Sequence, residues 1–217
     1  MIIYGGRLIV GGDFRSIDGV RANNIASWDG YSWEALDSGV NGSVYSLAVY
    51  GINLIVGGSF TTAGGVSANS IASWNWGWWS ALGTGAVTPV YAMAVCEDKL
   101  MVGASGGASY VVRSWSGTEW STLWSEYYAS GIRVTAMTAY YGWLMVGVTY
   151  VPGYDEAYKI YMWNGSTRTT ILSGSYGGVY ALAQYGDRLY AGGTWNVAIR
   201  YWTWYDLTWT KIEACEF

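Results

Sequence analysis

Val44-Tyr45-Ser46-Leu47-Ala48-Val49 is a short uncharged run of alternating small and bulky side chains, and it recurs along the chain. Its copies are Val90-Tyr91-Ala92-Met93-Ala94-Val95, Val134-Thr135-Ala136-Met137-Thr138-Ala139 and Val179-Tyr180-Ala181-Leu182-Ala183-Gln184, whose starts lie 46, 44 and 45 residues apart. After a short polar turn each is followed by a second block: Leu54-Ile55-Val56-Gly57, Leu100-Met101-Val102-Gly103, Leu144-Met145-Val146-Gly147 and Leu189-Tyr190-Ala191-Gly192. Leu8-Ile9-Val10-Gly11 is the same second block, so Met1-Ile2-Ile3 is the shortened first block of a leading copy. A fixed period of this length is the mark of a repeat architecture.

A third block in each copy ends in Trp28, Trp74, Trp115, Trp163 or Trp202. The turns that follow include Asp29-Gly30 and Asn164-Gly165, pairs that accept positive φ and favour tight hairpins. The fourth block opens with Trp33, Trp79, Trp120, Arg168 and Trp209, so copy four has lost its second aromatic. Each copy thus holds four short strands, a to d, joined by hairpins, as in the blades of a propeller. Both faces of strand a lack charge, as expected of a blade sandwiched between two others. The glycines ending strand b permit close backbone approach. The expectation is an all-β chain forming one five-bladed β-propeller over residues 1–217, with four-stranded antiparallel blades of about 45 residues. The blades run over about 1–43, 44–89, 90–133, 134–178 and 179–217. Closure of the ring is expected from side-chain packing, without Met1–Tyr4 entering the last blade's sheet. The five blade tryptophans are expected in the core. An open β-solenoid is the rival architecture, and it usually has shorter repeats.

Charged residues make up 12% of the chain and hydrophobic residues 52%. That charged share is about half the usual ~25%, and it fits a protein displayed outside a cell, on a virion or within a larger assembly. With 15 Trp, 20 Tyr and 31 Gly, the chain can bury a large core, which excludes disorder. The net charge is −4, and the 11 basic residues are scattered. Nucleic-acid binding needs a clustered basic face, so no nucleic-acid partner is expected. Met1-Ile2-Ile3-Tyr4-Gly5-Gly6 lacks the basic start and apolar segment of a signal peptide. No apolar run is long enough for a membrane-spanning helix, and the strands are short for a membrane barrel. No membrane insertion is expected. Cys96 and Cys215 occupy non-equivalent repeat positions and read as two free thiols.

Copies one and two share Gly-Gly-x-Phe-x₄-Gly-Val-x-Ala-Asn-x-Ile-Ala-Ser-Trp, from Gly11 to Trp28 and from Gly57 to Trp74, allowing Asn23 and Asn69 the same place. This resembles the Kelch-like Gly/Trp-rich propeller repeats of bacterial surface proteins, and it is similar to repeats in the fungal cortical marker for cell polarity. Copies three to five keep only the strand skeleton. The resemblance implies a surface setting and supplies no catalytic residues.

Chemistry is sparse. The sequence contains no His, which removes nucleophile–His–acid machinery and His-ligated metal sites. Glycoside hydrolysis on a propeller would need paired carboxylates near the central funnel, and no strand a carries Asp or Glu. Asp13, Asp18, Asp155 and Glu156 fall in b–c loops and read as solvated. No catalytic residue, metal ligand or cofactor is therefore assigned. Asn41-Gly42-Ser43 and Asn164-Gly165-Ser166 match the glycosylation pattern and also read as Asn-Gly turns. The b–c and d–a connections share one face of a propeller, and variable loops on a rigid scaffold are where binding concentrates. The candidate ligand-binding residues on that face are Asp13, Phe14, Asn23, Phe60, Asn69, Tyr127, Tyr128, Tyr150, Trp195 and Asn196. Phe14, Phe60, Asn23 and Asn69 read equally as loop locks, because they repeat. Few Lys or Arg in these loops favour a neutral ligand. The reading is a non-enzymatic module for a glycan or protein ligand on a cell or virion surface. A structural assembly subunit is the alternative and a glycoside hydrolase the third.

Overall fold

The computed structural model describes residues 1–128, 131–150, 157–194, 199–203, 205 and 207–211. Among them there is no helix, and the strands form five four-stranded antiparallel sheets. The first sheet holds β1 (Ile2–Tyr4) and β2 (Arg7–Gly11); β3 (Ser16–Ile17) and β4 (Val20–Arg21) form a small ribbon in the b–c loop, and β5 (Ile25–Trp28) and β6 (Trp33–Ala35) complete the sheet. The second holds β7 (Ser43–Tyr50) and β8 (Asn53–Ser59), a matching ribbon of β9 (Thr62–Ala63) and β10 (Val66–Ser67), then β11 (Ile71–Asn75) and β12 (Trp78–Ala81). The third is β13 (Val90–Cys96), β14 (Lys99–Gly106), β15 (Ser109–Trp115) and β16 (Trp120–Tyr127). The fourth is β17 (Ile132–Tyr140), β18 (Trp143–Tyr150), β19 (Tyr158–Trp163) and β20 (Arg168–Gly174). The fifth is β21 (Val179–Tyr185), β22 (Arg188–Gly193), β23 (Ile199–Thr203) and β24 (Trp209–Lys211). Every sheet is ordered a-b-c-d, and β1 pairs with β2 in its own sheet, Ile2 opposite Ile9.

Successive sheets pack through their inner strands, β7 on β13, β13 on β17 and β17 on β21. Three repeated devices fix these junctions. The first is a knob in a notch. The glycine ending each strand b leaves room for the valine that opens the next blade's strand a: Gly11 receives Val44, Gly57 receives Val90, Gly103 receives Val134 and Gly147 receives Val179. A Cβ on Gly57 would lie 2.6 Å from Val90 Cγ1, closer than side chains tolerate. Glycine is needed there for space rather than for backbone freedom.

The second device is a latch at the end of strand a. Tyr4 Oη donates to the Ile52 carbonyl at 2.9 Å, Tyr50 Oη to Asp98 O at 3.1 Å and Tyr140 Oη to Asp187 O at 2.6 Å. Each acceptor is the same turn residue of the following blade. Cys96 stands where blade three would have this tyrosine, and its Sγ lies 3.2 Å from Gly142 O. Cys96 therefore occupies the repeat position of a tyrosine, which the residue type concealed. Its thiol is buried, and burial pushes its pKa up. Cys215 lies outside the described residues. The third device is an indole bond from strand d. Trp79 Nε1 donates to Leu36 O at 3.2 Å, Trp120 Nε1 to Leu82 O and Trp209 Nε1 to Ile171 O, both at 2.9 Å.

Two expectations need correction. The first tyrosine of strand a is not buried between blades. Register shifts between Val44 and Ser46, Val90 and Ala92, Val134 and Ala136, and Val179 and Ala181 put a bulge in every complete strand a. A bulge leaves one residue out of the ladder and re-aims its side chain. Tyr45 and Tyr180 are accordingly 47% and 55% exposed. Tyr45 stacks on Tyr91, ring centroids 4.9 Å apart, with the Arg133 guanidinium over the other ring partner, Tyr91. Nor are all five blade tryptophans in the core. Trp202 and Trp115 are buried, while Trp28, Trp74 and Trp163 are half-buried and lie near the outer ends of their strands. There Trp28, Trp74 and Trp115 meet the strand-d tryptophan opposite them in tilted pairs.

Candidate functional site

The hairpins after strand c show how local chemistry sets the loops. Asp29 Oδ1 accepts the amides of Tyr31 and Ser32, each at 2.8 Å. The Ser32 and Tyr31 amides hold its carboxyl below the usual carboxylate range. Asn164 Oδ1 does the same for Ser166 and Thr167. These polar side chains are turn formers, as Asx residues often are.

On the face built by b–c and d–a loops, the first two blades form an open polar cavity of about 450 Å³. Its walls include Asp13, Arg15 and Arg21 of the first blade's b–c connection, Asn23 beyond it, Asn41 of the connection leading to the second blade, and Thr62 of the second blade. The loops around it are locked by their own hydrogen bonds. Asn23 Nδ2 donates to Ser38 O at 2.8 Å, and the Val40 amide donates to Asn23 O at 3.1 Å. Asn24 Nδ2 donates to Val40 O, and its Oδ1 accepts the Phe14 amide. Asn41 Oδ1 accepts the Thr61 and Thr62 amides at 2.8 and 2.9 Å, while its Nδ2 donates to Thr61 Oγ1. The backbone is fixed before any ligand arrives, which lowers the ordering cost of binding.

The second blade repeats the lock without the cavity's charge. Asn69 Nδ2 donates to Thr84 O at 3.0 Å, and the Ala86 amide donates to Asn69 O. Both asparagines thus lock their loops, each through one of its two amide hydrogens. Phe60 is 3% exposed and packs in the core with Val40 and Val44, so it is unavailable to a ligand; its counterpart Phe14 is half-buried.

The three tyrosines proposed from sequence separate. Tyr127 is 77% exposed, but Tyr150 is 4% exposed and donates to Tyr128 Oη at 3.2 Å. Tyr128 in turn donates to Glu126 Oε2 at 3.2 Å, where Tyr110 Oη also donates at 3.0 Å. Arg168 pairs with Glu126 and lies over the rings of Trp124 and Tyr161. The residue that replaces copy four's missing tryptophan therefore anchors a carboxylate of the preceding blade. Tyr128 and Tyr150 belong to this internal network, because a carboxylate largely shielded from water needs donors to replace its hydration. Burial raises the pKa of Tyr110, Tyr150 and Tyr161. Trp195 and Asn196, with Tyr154, Asp155 and Glu156, lie outside the described residues.

The structure therefore brings Asp13 and Asn23 to one cavity and leaves Tyr127 apart from it. Sequence reasoning named Asp13 and Asn23 but missed Arg21 and Asn41 as lining residues. The signal was present: 46 residues on, Asp13, Arg15 and Arg21 correspond to Ser59, Thr61 and Ser67. Among the described residues, no group of His, Cys, Asp and Glu could hold a metal ion.

No protein-family model and no curated protein matches this chain. Solved structures do. A chain of a nidogen/laminin complex is 14% identical, with 95% of this chain and 80% of that one covered at a TM-score of 0.63. The computationally designed Ika4 protein is 18% identical over 76% of this chain and 93% of its own, TM-score 0.52. The extracellular domain of a putative hybrid two-component system from B. thetaiotaomicron is 13% identical, covering 88% of this chain and 30% of that one, TM-score 0.47. At such identities the first two likenesses concern the fold: an all-β, propeller-like succession of four-stranded antiparallel sheets. Among the described residues, no helix is long and apolar enough to cross a membrane.

Proposed function

We propose that this chain is a non-enzymatic recognition module on a cell or virion surface, related to Kelch-like repeat proteins, that binds its ligand in the cavity between the first two blades. The observation that carries this is a polar cavity on the face made by the loops, whose backbone is locked by the side chains of Asn23 and Asn41. The cavity has the volume of small-molecule sites, roughly 300–1,000 Å³. Asp13 is the one carboxylate in its described lining, whereas glycoside hydrolysis needs two, so the lining favours binding over turnover. A protein ligand stands beside a glycan because a chain from a nidogen/laminin complex shares the fold.

In this reading the five blades close into a ring. Tyr185 occupies the latch position of blade five; it is 79% exposed, so closure would have to bring it to the equivalent acceptor, the Gly6 carbonyl. Small-angle scattering tests the closure: a disc-like particle is expected, and an open arc would refute it.

A glycan array tests the function. Asp13→Ser installs the residue of blade two and should weaken binding about tenfold with unchanged melting temperature, while Tyr127→Ala should not. The reverse pattern would place the site at the third blade's loops. The assembly-subunit reading is favoured by exposed Tyr176 and Tyr205, 82% each; it requires a stable oligomer in solution, and a monomeric mass removes it.

A further inference from the structure

The cavity's charge is not demanded by the fold. Blade two builds the same loop, with the same asparagine lock, from Ser59, Thr61 and Ser67, where blade one has Asp13, Arg15 and Arg21. Four charges in the nine residues from Asp13 to Arg21 are conspicuous in a chain that is only 12% charged, and three of them, Asp13, Arg15 and Arg21, line the cavity while Asp18 does not. Nor do the two arginines serve the structure. Arg7 pairs with Glu34, Arg113 lies over Trp120, Arg133 over Tyr91, Arg188 over Tyr201, and Arg168 holds Glu126; Arg200 is engaged as well. Among the described residues Arg15 and Arg21 have no side-chain partner, yet both line the cavity.

Resting on the recognition reading above, we infer that the cavity takes a carboxylate-bearing sugar, a sialic or uronic acid residue of a glycan. A guanidinium presents a planar fork of donors that matches a carboxylate. Two such groups against one Asp13 leave the lining with one net positive charge, which suits a monoanion. Asp13 itself would repel a more highly charged anion and is placed to accept sugar hydroxyls. A sugar is favoured over an acidic peptide because the walls offer amide, hydroxyl and backbone groups, whereas protein ligands anchor on aromatic and apolar pockets. The sequence expectation of a neutral ligand came from counting basic residues. Their placement and lack of partners point the other way.

The test is an array of sialylated and uronate-containing oligosaccharides printed beside their carboxyl-reduced counterparts. A poly-glutamate peptide and a sulfated oligosaccharide serve as further arms. The wild-type chain should prefer the carboxylated members at least tenfold and lose that preference as NaCl is raised, since surface ion pairs are screened by salt. Arg15→Thr with Arg21→Ser, the residues blade two tolerates, should abolish the preference with unchanged melting temperature. Equal binding of carboxylated and reduced glycans overturns the acidic assignment and leaves the cavity reading standing. Arginine-dependent binding of the peptide or the sulfated sugar alone overturns the sugar-carboxylate assignment. Binding of none of these probes overturns the inference, and if Asp13→Ser also affects no ligand, the cavity reading falls with it.

Discussion

Replacing Gly57 by Ala should destabilise the protein through one contact between blades. The added Cβ would sit 2.6 Å from Val90 Cγ1, 3.1 Å from Val90 Cβ and 3.2 Å from Met93 Cε. Carbon atoms prefer ~3.5–4.0 Å, so the overlap with Cγ1 is about 1 Å. Val90 is 0% exposed and opens the inner strand of blade three, so it cannot move aside without its sheet. Overpacking of this kind costs ~1–3 kcal/mol. Stiffening of the unfolded chain returns ~0.4–1 kcal/mol, leaving a net loss of about 1–2 kcal/mol. At ~2–4 °C per kcal/mol for a chain of this size, the melting temperature should fall by about 2–8 °C. Val90→Ala alone should cost ~1.5–3 kcal/mol through lost burial. In the double variant the new methyl occupies the space that Val90 vacates, so the two losses should be less than additive by about 1–2 kcal/mol. Urea unfolding followed by tryptophan fluorescence measures all four corners of the cycle. Strict additivity, or a Gly57→Ala variant as stable as the parent, would show that the valine does not seat on the glycine.

Asn23→Ala and Asn69→Ala should each lower stability by ~1 kcal/mol, the net worth of one hydrogen bond, since each amide holds a d–a carbonyl; unchanged melting in both would assign them to ligand alone. Trp202→Ala should cost ~3–5 kcal/mol, because the indole is 1% exposed and meets the Tyr140 ring. Tyr31→Ala, at a site 93% exposed, should shift melting by less than about 0.5 kcal/mol equivalent, and equal losses for the two would reverse the assignment of core and surface. Burial raises the Tyr110, Tyr150 and Tyr161 hydroxyls above their ordinary value of 10.0. Their contribution is present below pH 10 and is lost as pH rises toward the higher folded values, because the unfolded chain ionises first. Stability should fall steeply above pH 10 and less steeply in Tyr110→Phe; identical alkaline profiles would contradict this.

The recurrence of Val44-Tyr45-Ser46-Leu47 and Leu54-Ile55-Val56-Gly57 determined the strands, their order within each sheet and the notch at each strand-b glycine. These are local properties: alternation, turn chemistry and period are written in adjacent residues. The Asx turns at Asp29 and Asn164 were legible for the same reason. Three things were decided only in three dimensions. The bulge at Tyr45 and Tyr180 depends on how two strands pair, and pairing offsets leave no trace in composition. The latch position of Cys96 was hidden because a thiol replaces a hydroxyl there, and its acceptor, Gly142, lies in the next blade. Most of all, Arg15 and Arg21 look in sequence like two of several scattered cations. Whether a guanidinium is spent on a neighbour or left facing a cavity depends on residues tens of positions away, and only tertiary packing brings those within hydrogen-bonding reach.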